Sequence, residues 1–553
     1  MRITNNMIVQ NTKGNINGNK VYVDAYNTQM TTQKKISKPS EDPVIAIRSL
    51  RLGTNLSHVN QYVDNNIPDA RSWLQVTETA LTNMKSILTD IRTQCVNGST
   101  DTLTADDRKT ILDNLSALAD QIYTEGNADY AGRTVFTGYR TDSTLTFGTE
   151  QKDVSYNITQ SFSYKNLEEH RYYTGVVDVP ETLEKDNTGA ITTPDCATEI
   201  SEHSYDRIRL AYNKTDQANS LEVKSQNYNL SISAENFADA KAGNPGNPVT
   251  VVPTKVKLGA DNKPELDANG NLQYENIQDA GVDVEVSVKV YESEAHWENA
   301  GGAKTVGENE VVYLEETGEF IFGEKVSASM KNATAEMTVN YDKTGFDKGE
   351  AAPEYYYDCV RTSPDGTKTE FTKEDQIISY DIANSTTLVV NTQASDVFDT
   401  SIARDVQEMM NVVQNAINAN AKVDTIKAMM QEERYAGEED QKKLQTYLDV
   451  AQKEADYADD NLQKTYGKYI TKFDGYLQRT NEAITNVGNT MSRLSMTQTR
   501  VENQKTTIKE LKSSNEDRDI SDIIIDYTAS YNAYQASLQA ASKVNQQTLL
   551  NYL

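Results

Sequence analysis

Apolar residues recur at seven-residue intervals at both ends of this chain. Val9, Ile16, Val23 and Met30 keep that period from the outset, with Tyr26 between them, and predict one narrow seam on a helix. A denser series follows. Val63, Ile67, Ala70, Leu74, Thr77, Leu81, Met84, Leu88, Ile91 and Cys95 alternate spacings of four and three, the grammar of a coiled coil. Near the other end Ile484, Val487, Met491, Leu494, Val501 and Ile508 hold the same register, and Ile520, Ile524, Tyr527, Tyr531, Tyr534, Leu538 and Ala541 resume it. From Leu444 to Leu511 the period barely lapses, which predicts a rod of roughly 100 Å if unbroken.

Breaks between these stretches are written in turn and cap residues. Two prolines in Ser37-Lys38-Pro39-Ser40-Glu41-Asp42-Pro43 interrupt the first helix, with Asp42 placed to cap the next and Pro43 at its first position. Asn97-Gly98-Ser99 stops the second stretch, and Thr104 with Asp107 caps a helix bearing Ile111, Leu115, Leu118 and Ile122 on one face. Pro68 falls inside the dense series, where a regular helix would lose about 3 kcal/mol unless it kinks or restarts. Glycine-bounded Gly132-Arg133-Thr134-Val135-Phe136-Thr137-Gly138 then predicts the first strand of a hairpin.

The middle of the chain changes period. Val282, Val284, Val286, Val288 and Val290 alternate with polar residues as one strand. Val311-Val312-Tyr313-Leu314 and Phe320-Ile321-Phe322 flank a short hairpin connection, and the stretch from Ala242 to Pro248 reads as a surface loop. Helix resumes near Val397, with Ile402, Val406, Met409, Val413 and Ala416 on one stripe. The fold class is therefore α+β and multidomain: a discontinuous stalk of N- and C-terminal helical coiled coil with an inserted, mostly antiparallel β region. Residues 1–40 with 515–553 are expected to form a terminal assembly domain, 41–140 with 397–514 a helical stalk, and 141–396 a variable outer insert of one or two domains. Val9, Ile16, Val23, Met30, Ile520, Ile524, Tyr527, Tyr531, Tyr534, Leu538 and Ala541 are the expected self-assembly seam. Leu74, Leu81, Met84, Leu88, Ile91, Val487, Met491, Leu494, Val501 and Ile508 are the expected stalk core.

Composition fits an elongated, exposed assembly better than a compact enzyme, since only 37% of the 553 residues are hydrophobic and the formal net charge is -28. With 54 Lys and Arg against 82 Asp and Glu, a phosphate backbone is a poor partner. No apolar run has the length of a secretory leader or a membrane span, and Gly14 and Gly18 sit among Asn and Lys rather than in an apolar dimer motif. Gly14, Gly18 and the neighbouring asparagines also weaken the first helix.

Candidate chemistry is sparse. His58, His170, His203 and His296 are far apart, and Cys95, Cys196 and Cys359 make neither a disulfide framework nor a zinc site. No phosphate-binding or dinucleotide fingerprint is present. Glu265-Leu266-Asp267-Ala268-Asn269-Gly270 shares alternate oxygens and a glycine with a calcium loop but has Asn276 where the twelfth ligand belongs, so a hairpin turn at Asn269-Gly270 is the better reading. The expectation is a non-enzyme without cofactor or metal.

Residues at both ends resemble the flagellin-like axial proteins of the bacterial flagellum. They include Met1-Arg2-Ile3-Thr4-Asn5-Asn6-Met7, the segment Lys35 to Pro43, Arg48-Ser49-Leu50-Arg51-Leu52, Ser72-Trp73-Leu74 and the Gly132 to Gly138 segment, where Thr137 replaces the commoner glycine. Arg493 to Glu502 and Tyr534-Gln535-Ala536-Ser537-Leu538 match at the far end. The resemblance implies a structural subunit exported through the type III channel without a cleavable leader, and located in the extracellular flagellum. It implies self-association, an adjacent hook-associated protein, flagellin and an export chaperone as partners, and a place at the hook–filament junction. Thr4 to Met7 and Thr548 to Leu553 favour that place over flagellin itself. A flagellin-like protein with an adhesive β insert is the other alternative.

Overall fold

The computed structural model describes residues 5–100, 103–186, 191–196, 199–242, 248–259, 262–301 and 304–546. Most of the surface loop expected around 242–248, and the terminal residues 1–4 and 547–553 that carry part of the resemblance, lie outside them. The long helices are α1 (Asn5–Thr32), α2 (Pro43–Gln61), α3 (Ile67–Gly98), α4 (Ala105–Ile122), α5 (Ser401–Met430), α6 (Glu438–Glu516) and α7 (Ile520–Gln546). Two compact units share them: Met1–Ser72 with Ser379–Val390 and Asn489–Leu553, and Trp73–Ile378 with Asn391–Gly488.

In the first unit α1 packs along α7. The link after α1 and the link before α7 meet as a short antiparallel pair: Lys35 N donates to Glu516 O at 2.7 Å and Arg518 N to Gln33 O at 3.0 Å. The break between α1 and α2 is thus an internal joint of this unit. Asp42 caps α2 through Val44 N at 2.9 Å and Ile45 N at 3.1 Å, with Pro43 in the first turn.

Pro68 is accommodated by a local change of winding. Residues Tyr62–Asn66 form a π-helical turn in which the N–H of Ile67 reaches back to Tyr62 O, and α3 restarts with Pro68 at its second position, where no donor is needed. A hairpin of Ser379–Ala383 and Thr386–Val389 rests on that turn. Asn66 Nδ2 donates to Asp381 O at 2.7 Å, and Ala383 joins Val59, Val501 and Ile508 in a small core. These hairpin residues lie within the expected outer insert, yet they pack with the helices of the first unit.

In the second unit the dense series forms the buried face of α3: Leu74, Thr77, Leu81, Met84, Leu88, Ile91 and Cys95 are all sealed from solvent. Cys95 packs on Met409 of α5, and burial pushes its thiol up to about 12, so it behaves as an inert core residue. Gly98 ends α3 against the ring of Tyr466 in α6, which a Cβ would overlap. Thr104 and Asp107 form the reciprocal cap of α4. The expected Gly132 strand is shorter than the sequence suggests. Asp129–Tyr130 pairs with Arg133–Thr134 around Ala131 and Gly132, both at positive φ, after which Val135 and Phe136 enter the core.

Two six-stranded sheets make up the insert. One runs Glu168–Thr174, Ser201–Arg209, Glu319–Phe322, Glu310–Leu314, Val286–Tyr291, Val249–Val251, with a single parallel pair between the fourth and fifth strands. The other runs Lys368–Phe371, Asp358–Thr362, Gln151–Ser163, Glu336–Phe346, Gln217–Lys224, Leu230–Ser233 and is antiparallel throughout. Their facing residues, among them Tyr156, Ile158, Val339 and Tyr341 from one and Val288, Val311, Tyr313 and Phe320 from the other, share one core. The first sheet is buried on its second face as well, where Val312, Leu314 and Ile321 pack on Trp297, which explains why its central strands are apolar without alternation. The valine series from 282 to 290 is not one strand. It breaks at Val284 and Glu285, and its inward face starts only at Val286. Asp267 receives the N–H groups of Asn269 and Asn271, each at 2.8 Å, so the candidate calcium loop is a hairpin turn whose carboxylate serves its own backbone.

Charge joins this first sheet to the helices. Arg207 pairs with Glu319 at 3.1 Å and with Glu408 of α5 at 2.8 Å. Arg209 pairs with Glu168 at 3.0 Å and with the fully buried Asp405, which also holds Lys472 at 3.0 Å and the hydroxyl of Tyr476 at 2.8 Å. Burial alone would raise the Glu168 carboxyl, but Arg209, Lys472 and Lys468 hold it well below the ordinary carboxylate range.

Candidate assembly surface

The α1 seam expected from the sequence is its half-buried stripe. Val9, Ile16, Val23 and Met30 alternate with Thr12, Asn19 and Tyr26 along the side that packs on α7. On α7 the register differs from the expected one. Ile523 is fully buried, and Tyr527, Ser530, Tyr534, Ser537 and Ala541 continue that stripe at spacings of four and three. Asn19 Nδ2 donates to Ser537 Oγ at 2.6 Å, and the guanidinium of Arg518 lies 5.4 Å from the Tyr26 ring centre. Serines fit this seam because a small hydroxyl residue lets the helices approach and accepts the amide of Asn19.

Ile520, Ile524, Tyr531 and Leu538 are therefore not seam residues between α1 and α7. They are 45%, 47%, 42% and 37% exposed and form a second apolar stripe, offset by one residue or about 100° of helix rotation. Tyr527 and Tyr531 stack across the gap between the stripes with ring centres 6.0 Å apart. Three consecutive isoleucines, Ile523-Ile524-Ile525, are the signal in the sequence for this arrangement, since no single helix face accommodates all three. On α1, Met7, Val21 and Tyr22 are likewise exposed.

The expected stalk residues fall into the two units. Leu74, Leu81, Met84, Leu88, Ile91 and Val487 are buried in the second, Leu494, Val501 and Ile508 in the first, where Met491 is partly covered. Among the described residues no helix is long and apolar enough to cross a membrane, and no group of three His, Cys, Asp or Glu is placed to hold a metal ion.

Residues 3–141 match the bacterial flagellin N-terminal helical region, and residues 470–553 match the bacterial flagellin C-terminal helical region. The two ends of the chain are thus similar to the helical regions of bacterial flagellins. Over 144 residues it is 28% identical to the flagellar hook-associated protein 3 of Escherichia coli K12, a match covering 26% of this chain and 45% of that one. It is 30% identical over 122 residues to a flagellin of Clostridium tyrobutyricum, covering 22% and 32% respectively. The chain thus spans a little under half the length of the hook-associated relatives it matches. A solved flagellar junction protein from Legionella pneumophila aligns over 82% of this chain and all of its own at 12% identity and a TM-score of 0.21, too loose a likeness to carry an argument about architecture. The flagellin-like regions lie outside the two-sheet insert, so the family match speaks to the helices and not to the sheets.

Proposed function

We propose that this flagellin-like chain is a structural subunit of the bacterial flagellum that joins hook to filament, assembling with copies of itself after type III export. The observation that carries the reading is the double-striped α7: one stripe is satisfied by α1 within the subunit, and Ile520, Ile524, Tyr531 and Leu538 are left for a neighbour. Fully burying a side chain of this size contributes about 1.5–3 kcal/mol, so a row of four favours association once copies are brought into line. The names of the hook-associated relatives support the junction over the filament. An adjacent hook-associated protein on one side, flagellin on the other and an export chaperone beforehand are the partners this role requires.

Deleting the gene tests the reading. A junction subunit predicts that flagellin is still made and exported but is shed into the medium, with hooks left bare. Normal filaments in the deletion strain would reject the junction role, and loss of the filament protein itself would favour a flagellin.

A further inference from the structure

Two exposed helix faces of the first unit have complementary chemistry. The inner side of α2 packs on α6: Val59 joins Val501 and Ile508 in the small core, and Asn515 Nδ2 donates to Ile45 O at 3.1 Å. Its outer side carries Val44, Ile47 and Leu50 at three-residue spacing, 58%, 52% and 69% exposed. Arg48 and Arg51 stand among them, both exposed, and among the described residues neither has a hydrogen-bond or ion-pair partner. The second face is on α7. Ile523 belongs to the seam with α1 and Ile524 to the second stripe, which leaves Ile525, 65% exposed and about another 100° around the helix. Asp522 precedes it by three residues on the same side, exposed and likewise without a partner among the described residues.

Apolar side chains gathered on one exposed face mark a contact surface, and guanidinium groups beside them select a carboxylate. The α7 face offers both an isoleucine and a carboxylate. Charge also favours a meeting of copies through this unit. It carries 16 Lys and Arg against 13 Asp and Glu, so two first units approach without the repulsion of the second, where the figures are 38 and 69. Because the two faces differ, a contact between them is head-to-tail, the kind that propagates into a ring or a helical array.

We propose that the outer face of α2 in one copy docks on the Asp522 and Ile525 face of α7 in the next, Val44, Ile47 and Leu50 covering Ile525 while Arg48 and Arg51 hold Asp522. The contact rests on the self-association proposed above and adds a second interface to the stripe of Ile520, Ile524, Tyr531 and Leu538.

Flagellin shed into the medium by a deletion strain carrying one variant of the full chain tests it. Arg48→Glu with Arg51→Glu should shed flagellin to the level of the deletion strain, and Asp522→Arg should raise shedding several-fold. Combining the three should bring shedding below that of either variant alone, because the charges are exchanged across the contact. Lys85→Glu with Lys109→Glu, exposed in the second unit, makes the same change in net charge and should hold filaments normally. The altered side chains are exposed, so circular dichroism of the purified variants should match the parent. A measurement that does not depend on reversal uses Arg48→Lys with Arg51→Lys, which keeps the charge: carbodiimide treatment of isolated flagella should couple the introduced amines to Asp522, and dilute purified chain should show no such link. Coupling to carboxylates of the second unit or of another flagellar protein overturns the proposal, as does no coupling, normal retention by the reversed arginines, or no rescue by the combination. Normal filaments in the deletion strain itself would reject the junction role, whereas shedding there with normal retention by the reversed arginines rejects this contact alone.

Discussion

Phe136 and Phe398 meet edge to face with ring centroids 4.9 Å apart, and beside them the N–H of Ala394 donates to Phe136 O at 3.0 Å. The chain leaves its helices for the sheets and returns at this one place, as a nested insertion requires. Both rings are sealed from solvent. Phe398→Ala should cost about 3–5 kcal/mol in urea denaturation. A loss below about 1 kcal/mol would mean the junction closes without this contact.

The insert nevertheless does not sit on its helices as a detachable module. Asp405 is fully buried and is neutralised from the sheet side by Arg209 and from α6 by Lys472. Asp405→Ala should destabilise the chain by about 3–5 kcal/mol, because Arg209 and Lys472 then lose the carboxylate between them. Replacing the sheets with a Gly/Ser linker should lower the helical circular dichroism, and replacing Arg404, Asp405 and Glu408 by apolar residues in that variant should restore it. Retention of the helical signal with those three residues intact would show that the ion pairs are dispensable.

The same network sets an acid limit. Glu168 and Glu408 are both held below the ordinary carboxylate range, Glu408 by Arg207, His170 and Arg209 against the effect of burial. A carboxylate depressed in the folded state contributes stability that is complete above its unfolded value and is lost as pH falls through the folded value. The melting temperature should therefore be steady near neutrality and fall below about pH 4.5, where the unfolded chain begins to take up the protons the folded one refuses. Glu168→Gln should flatten that fall, and an unchanged slope would remove Glu168 from the account.

At Pro68 the expected helix penalty should not appear. The π turn at Tyr62–Asn66 already absorbs the missing donor and positions Asn66 to hold Asp381. Pro68→Ala should change stability by less than about 1 kcal/mol, against the roughly 3 kcal/mol that a proline costs inside a regular helix. A gain near the larger figure, measured by thermal unfolding, would show that the turn stores the full cost.

Some of this architecture is legible in the order of residues and some is not, for physical reasons. The α3 face is written in Leu, Met and Ile at strict four-and-three spacing, and each buried position is also an apolar or small one. The Thr104 and Asp107 cap is local, so three residues suffice to read it. The α7 register misleads because hydrophobicity favours Ile524 and Leu538, whereas the close approach to α1 selects Ser530 and Ser537. The arginine and carboxylate network is invisible to periodicity, since Arg209 and Asp405 are far apart in the chain and each looks like an ordinary surface charge until the sheet folds over α5.

That register separates assembly from subunit folding. Leu538 is 37% exposed on the second stripe, whereas Ile523 is fully buried on the first. A charge at position 523 must be desolvated inside the subunit, so Ile523→Asp should unpair α1 from α7 and lower the helical signal of the purified chain. Leu538→Asp places its charge in solvent while the subunit is alone and pays the desolvation penalty only when a neighbour covers the stripe. It should therefore leave the circular dichroism and thermal unfolding of the free chain within error of the parent, yet fail to restore filament retention when it is the sole copy in a deletion strain. Filaments held normally by Leu538→Asp would assign the second stripe to bare solvent exposure, and loss of helix in the same variant would place Leu538 in the seam between α1 and α7 after all.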